Sequence, residues 1–289
     1  MLFRLCLFLQ VIFLGITANA ADVRIAVSDL IAVDVLKTIK SLAVADSLEI
    51  SVASIGSLPA MDALRMDEIS LAVIAMPDDT EVLDDTLKSF PFAYVASVVA
   101  VNRSNPINEI SFYDLRGIFG LDLSSNIENW RALGAQETAD RLIKPVVVRD
   151  RTSISTELFQ HIVLNGEALK HTVNEVRKPE VEAMLVNNPA LIAIVPYLPS
   201  NESVKALMIS PDADSPAFGP ANDNIYYGDY PIRLPFQVVY RKSREQELAG
   251  IIKLLLSDEV AKALRFNHLS VPPDTIRASI IESLNLIER

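Results

Sequence analysis

The chemistry begins in the stretch "KPVVVRDRTSISTELFQHIVL", Lys144 to Leu164. An apolar run breaks at Arg149; Thr152, Ser153 and Ser155 follow; then a helical pattern sets in with Leu158, Phe159, Ile162 and Val163 on one face. That spacing puts the hydroxyls at or near a helix N-terminus. The first N–H groups of a helix have no partner within it, and the helix dipole there favours negative charge. Hydroxyls add donors, and the guanidinium of Arg149 adds a planar fork of N–H groups. The arrangement suits a small anion. The same residues admit a plainer reading, in which Ser153 or Thr152 is an N-cap and Arg149 belongs to a surface ion pair.

Other chemistries fare worse. His161, His171 and His268 are scattered, and His161 falls on the polar side of its helix, where a solvated imidazole is expected. No His or carboxylate cluster has metal spacing. The acidic run Asp78 to Asp85 reads as a solvated loop and helix start rather than a calcium loop. Nucleophile-elbow and phosphate-loop patterns are absent, and Ser28 and Ser57 have no paired base. An enzyme is therefore not expected, and no cofactor is. The net charge of −11 and the lack of a basic patch argue against nucleic acid and anionic membrane surfaces. They do not exclude a small anionic ligand, because a local site can oppose the global field.

The elements that must hold these residues alternate. After "MLFRLCLFLQVIFLGITANA", which reads as a signal peptide over residues 1–20 cleaved after Ala18-Asn19-Ala20, come short β-rich runs separated by helical patterns. The one cysteine, Cys6, lies inside the leader, so neither a disulfide nor a lipid anchor is expected and the location implied is periplasmic. "VRIAV", "LEISVA", "SLAVIAM", "YVASVVAVN", "KPVVV", "LIAIV" and "PFQVVY" are strands. "LIAVDVLKTIKSLA", "PAMDALRMDE", "SFYDLRGIF" and three closing segments are helices, with Pro59 in a first turn and Ser111 as a cap. This alternation predicts an α/β fold of mainly parallel sheets flanked by helices, with ligands at the carboxyl ends of strands. "SPDADSPAFGPANDN" reads as a surface loop.

Four stretches, in order, resemble the phosphate-binding proteins of ABC importers, members of the type 2 periplasmic binding-protein superfamily. Arg149-x-x-x-Ser153-x-Ser155-x-x-x-Phe159 is similar to the family's R-x-x-x-S-G-T-x-x-x-F segment. "VVAVNRSNPINEISFYDLRGIFGLDLSSNIENW" matches its Asn-x-x-Asn-Pro…Ile-Phe…Asn-Trp run through Asn102, Asn105, Pro106, Leu115, Ile118, Phe119, Asn129 and Trp130. "YPIRLPFQVVYRK" and "IIKLLLSDEVAKALRFNHLSVPP" resemble the returning strand and a late helix pair.

The resemblance implies two α/β lobes joined by two crossing strands, with a ligand clamped between them. The expected lobes are residues 22–98 plus 230–289, and residues 99–229. It also implies three anion-holding elements: Ala26 to Ile31, with Ser28 and Asp29; Ile55 to Ala60, with Gly56 and Ser57; and Arg149 to Ser155, with Ser153, Ile154 and Ser155. The departures weigh on the ligand. Asp29 stands where the family has glycine and hydroxyls, and Ile154 replaces a glycine. Met76 falls near a position at which phosphate binders carry an aspartate, and Ile194-Val195-Pro196 lacks a glycine. The expected function is an exported solute-binding protein that takes a small, oxyanionic ligand, phosphate foremost, for import with an ABC permease. The alternative is a periplasmic interaction or sensory module that keeps the fold without tight phosphate binding.

Overall fold

The computed structural model describes residues 23–77, 84–121, 126–135, 142–149, 153–212 and 214–287. The leader with Cys6, most of the Asp78–Asp85 run and Thr152 lie outside the described residues.

In chain order the first elements are β1 (Val23–Val27), α1 (Val33–Ala45), β2 (Ile50–Ser54), α2 (Ser57–Arg65), β3 (Leu71–Ala75) and β4 (Leu87–Ala96). Next come β5 (Val98–Asn102), β6 (Glu109–Ser111), α3 (Phe112–Phe119), β7 (Lys144–Val148), α4 (Ser155–Ile162), β8 (Asn174–Val176), α5 (Lys178–Asn187) and β9 (Leu191–Val195). The chain continues through β10 (Val204–Ala206), β11 (Met208–Ser210), α6 (Asn222–Tyr227), β12 (Arg233–Arg241), α7 (Glu245–Leu255), α8 (Asp258–Phe266) and α9 (Asp274–Ile287).

These strands form two five-stranded sheets, ordered β2-β1-β3-β12-β4 and β10-β5-β9-β7-β8, and a small β11-β6 ladder. Parallel pairing holds in one half of each large sheet, at β1 with β2 and β3 and at β7 with β8 and β9. The other half is antiparallel, where β12 pairs β3 and β4 and where β5 pairs β9 and β10. Each sheet is thus mixed, which tempers the expectation of mainly parallel sheets. The antiparallel half is the consequence of chain crossing, because a strand arriving from the other sheet need not follow a right-handed parallel crossover.

Period-2 alternation explains why both faces of each sheet are covered. In β1, Val23, Ile25 and Val27 pack with α1 residues Val35, Leu36 and Ile39 and with α7 and α8. Ala26 turns the other way, against Ala60, Met61 and Leu64 of α2. In β9, Ile192 and Ile194 meet Phe119 and Phe159, while Leu191, Ala193 and Val195 meet Val181 and Leu185 of α5. Trp130 is fully buried in the second sheet's larger core.

The two sheets meet at a narrow seam. "YVASVVAVN" is expected as one long strand, but it divides at Ser97 into β4 in one sheet and β5 in the other. The Ser97 N–H donates to the Ile232 carbonyl, 2.9 Å away, just before the returning strand β12. The Tyr230 hydroxyl donates to the Ser97 carbonyl at 2.8 Å. Both crossings are therefore tied to each other at one residue. Burial pushes the Tyr230 phenol well above its ordinary pKa, so the hydroxyl keeps its proton and its role as donor.

Candidate functional site

The three expected anion-holding segments all lie at helix starts beyond the carboxyl ends of strands, but they are built differently. Ser28 follows β1 and is fully buried. Its N–H donates to the Val73 carbonyl at 2.7 Å, and its Oγ accepts from the Leu30 N–H at 3.3 Å. Ser28 thus shapes the turn into α1. Asp29, next to it, is exposed. It does not cap α1, whose N-cap is Ala32, and it does not cap α2, whose N-cap is Gly56. Asp29 nevertheless stands beside the second segment: a Cβ placed on Gly56 would come within 3.9 Å of its Oδ1. Gly56 has φ 89°, a backbone conformation that suits glycine alone without strain. Ser57 Oγ accepts from the Ala75 N–H at 3.0 Å and so fastens the start of α2 to the end of β3.

In the third segment, Ser153 Oγ accepts from the Ser155 N–H at 3.2 Å, a local turn one residue before Ile154, the N-cap of α4. Ser155 Oγ is 3.2 Å from Ser153 Oγ, and Ser155 is fully buried. Thr156 Oγ1 donates to the Val148 carbonyl at 2.7 Å and locks the helix start to the end of β7. Arg149 faces elsewhere. Its Nη2 lies 2.9 Å from Glu175 Oε1 and its Nη1 3.9 Å from Glu157 Oε1, with about half of the side chain exposed (48%). This is the surface ion pair of the plainer reading.

Between the sheets lies a cavity of about 420 Å³. One wall comes from the first sheet and its helices: Asp29 to Val33, Val95, Phe236 and Phe266 to Leu269. The other comes from Ser153, Ile154, Lys178 and Pro196. Of the expected site residues, Asp29, Ser153 and Ile154 line it; Ser28 and Ser155 support those three from behind. Gly56 and Ser57 form the neighbouring helix start, and Arg149 is not on its walls.

Lys178 is a cleft residue that the sequence reading does not single out, and His268 is one that it sets aside as a scattered histidine. Lys178 opens α5, and its Nζ sits 5.5 Å from the centroid of the Tyr197 ring. Tyr197 in turn packs on His268, ring centroids 5.3 Å apart, a contact that crosses the cleft. His268 holds φ 62°, in the left-handed region, at the turn after α8. Burial, and then the charge of Lys178, lower its pKa and favour the neutral imidazole. Burial and the charge of Glu182 raise the pKa of Tyr197. The signal for Lys178 in the sequence was its place before Pro179 at a helix start; nothing local marks His268. Among the described residues no group of His, Cys, Asp and Glu could hold a metal ion.

Residues 16–259 match the family model described as the PBP superfamily domain. Among curated proteins, protein SphX of Synechococcus elongatus is 26% identical over 176 residues, covering 56% of this chain and 50% of that protein. The chain is thus aligned to about half the length of this relative. Among solved structures, an ABC-type phosphate transport receptor from Vibrio cholerae aligns with TM-score 0.61 and 20% identity over 87% of this chain and 100% of that one. PstS from Borrelia burgdorferi aligns with TM-score 0.68 and 16% identity over 86% and 98%. A structure described as a possible phosphate binding protein from Planctomyces limnophilus aligns with TM-score 0.69 and 16% identity over 91% and 97%.

Proposed function

The chain belongs to the PBP superfamily and has the type 2 fold of phosphate-binding proteins of ABC transporters, and on that premise we propose that it is an exported, periplasmic solute-binding protein. Its lobes are residues 22–98 with 230–289, and 99–229. A small ligand bearing an acidic group enters the cleft between them, and hinge closure buries it for delivery to an ABC permease. The observation that supports this most is the cavity of about 420 Å³ lined from both sheets, with a serine, a helix start and a lysine on one wall. Closing such a cleft excludes water, which strengthens charge-assisted hydrogen bonds to the ligand. Among the described residues no helix is long and apolar enough to cross a membrane.

The Ser153–Ile154 turn and Lys178 bind the acidic group in this reading. Asp29 and His268 face them from the other lobe, and Ser28, Gly56, Ser57 and Ser155 hold the walls in shape. A thermal-shift screen with phosphate, sulfate, molybdate and small organic acids tests it. A ligand at a hundred times its Kd stabilises a folded protein by about 2.7 kcal/mol.

A second reading, an interaction or sensory module that keeps the fold, is favoured by two observations. Arg149 is engaged by two glutamates, and Asp29 presents a negative charge to the cleft. A flat response to every compound overturns the solute-binding reading and leaves this second one.

A further inference from the structure

Two charges of opposite sign line the cleft from opposite walls. Asp29 lies on the first lobe, in the turn before α1, and Lys178 on the second, at the start of α5. Among the described residues neither has an ion-pair partner. Asp29 leaves both oxygens free as acceptors. It caps neither of the helices beside it. Lys178 rests its ammonium near the face of Tyr197, 5.5 Å from the ring centroid. The same cavity is lined by the apolar side chains of Ile31, Val95, Ile154, Phe236 and Leu269, with Asn267 and His268 as further polar groups.

From this arrangement we propose that the cleft takes a small zwitterion, a compound with an ammonium group and an acid group on one short apolar body, rather than inorganic phosphate. The inference rests on the solute-binding reading above. The ammonium donates to the Asp29 carboxylate. The acid group accepts from Lys178 and from donors at the Ser153–Ile154 turn. A phosphate ion near neutral pH carries one to two negative charges; its P–OH can donate to Asp29, but it brings no cation to balance that carboxylate, and like charges in a dry cleft repel. A zwitterion pairs both walls at once and so bridges the two lobes as they close. Removing one member of such a buried pair leaves the other charge unpaired, which is the source of discrimination against half-ligands.

The test measures calorimetric affinities of the full mature chain for matched compounds. The bipolar set is leucine, phenylalanine and aminomethylphosphonate; the deaminated partners are isocaproate, hydrocinnamate and methylphosphonate; inorganic phosphate completes the panel. The expected result is that at least one bipolar compound binds about tenfold or more tighter than its deaminated partner and than phosphate. Asp29→Asn should erase that difference by weakening the bipolar compound, and Lys178→Met should weaken the bipolar compound and the acids alike. Asp29 is exposed, so the variant folds; a wild-type-like circular dichroism melt verifies it. Phosphate or a deaminated acid binding as tightly as every bipolar compound overturns this inference and leaves the solute-binding reading standing. So does a preference that survives Asp29→Asn. Binding of nothing in the panel or in the oxyanion screen overturns both.

Discussion

Arg149 shows how far residue types alone can carry a site. Its position in a recognisable motif pointed into the cleft, and its two glutamate neighbours hold it on the surface. Half-exposed ion pairs contribute about 0–1 kcal/mol. Arg149→Ala should therefore lower the melting temperature slightly and leave the shift induced by the best ligand of the screen equal to that of wild type. Loss of the ligand-induced shift would show that the guanidinium reaches the ligand on closure. Gly56 makes the sharper prediction. At φ 89° a Cβ is strained, although its surroundings are roomy: Pro59 Cδ would be 3.6 Å away. Gly56→Ala should cost about 1 kcal/mol through backbone conformation alone, read as a denaturation midpoint shifted at unchanged slope. The hydroxyls were legible because capping and turn chemistry is local. Lys178 and His268 were not, since only the approach of the two sheets brings an α5 start and a turn after α8 to one cavity.

At the scale of elements, the long periodic segments could be read directly: α1, α3, α7 and α8 fall where their apolar spacing puts them. Ser111 forms a full capping box with Asp114. The three-residue strands β6, β8, β10 and β11 are too short for alternation to show and exist because a neighbouring strand pairs them. The closing helix α9 packs on the core of the first sheet through Leu284, and partly through one cation. Arg277 is buried, donates to the Leu256 carbonyl at the end of α7 at 2.6 Å, and reaches Asp258 and Asp274 at 2.7 and 2.8 Å. Arg277→Ala removes hydrogen bonds to charged partners and uncovers the end of α7, so it should destabilise by about 2 kcal/mol in chemical denaturation. The pH dependence has a definite sign. Hydrogen bonds from Arg277, and its charge, lower the pKa of Asp274 in the folded chain. The contribution of this pair is present above the ordinary aspartate range and is lost as pH falls through the lowered folded value. Melts at falling pH should show that acid sensitivity in wild type, diminished in Arg277→Ala; equal acid sensitivity in both would place it elsewhere.

The whole molecule turns on the seam at Ser97. The larger core of the second sheet includes Tyr94 and Ala96 from β4 and Tyr230 and Ile232 from the approach to β12, with Leu234 packed against it. Arg233 reinforces the same place: its Nη1 donates to the Ile225 and Tyr226 carbonyls, and its guanidinium sits 5.2 Å from the centroid of the Tyr94 ring. The crossings are therefore packed into a core and not merely strung between two bodies, which argues that the lobes unfold together although a cleft separates most of their surfaces. The single tryptophan makes this measurable, because Trp130 is buried in the second lobe and reports on that lobe, while far-ultraviolet circular dichroism reports on both. Coincident transitions by the two probes are the expected result. The stronger form of the test perturbs one lobe and watches the other. Arg277→Ala lies in α9, on the first lobe, far along the chain from Trp130. If the seam couples the lobes, this substitution lowers the fluorescence midpoint as much as the dichroism midpoint. A fluorescence midpoint that stays at its wild-type value while the dichroism transition splits would mean that the lobes melt independently. The Ser97–Ile232 and Tyr230–Ser97 bonds would then serve as a hinge without transmitting stability.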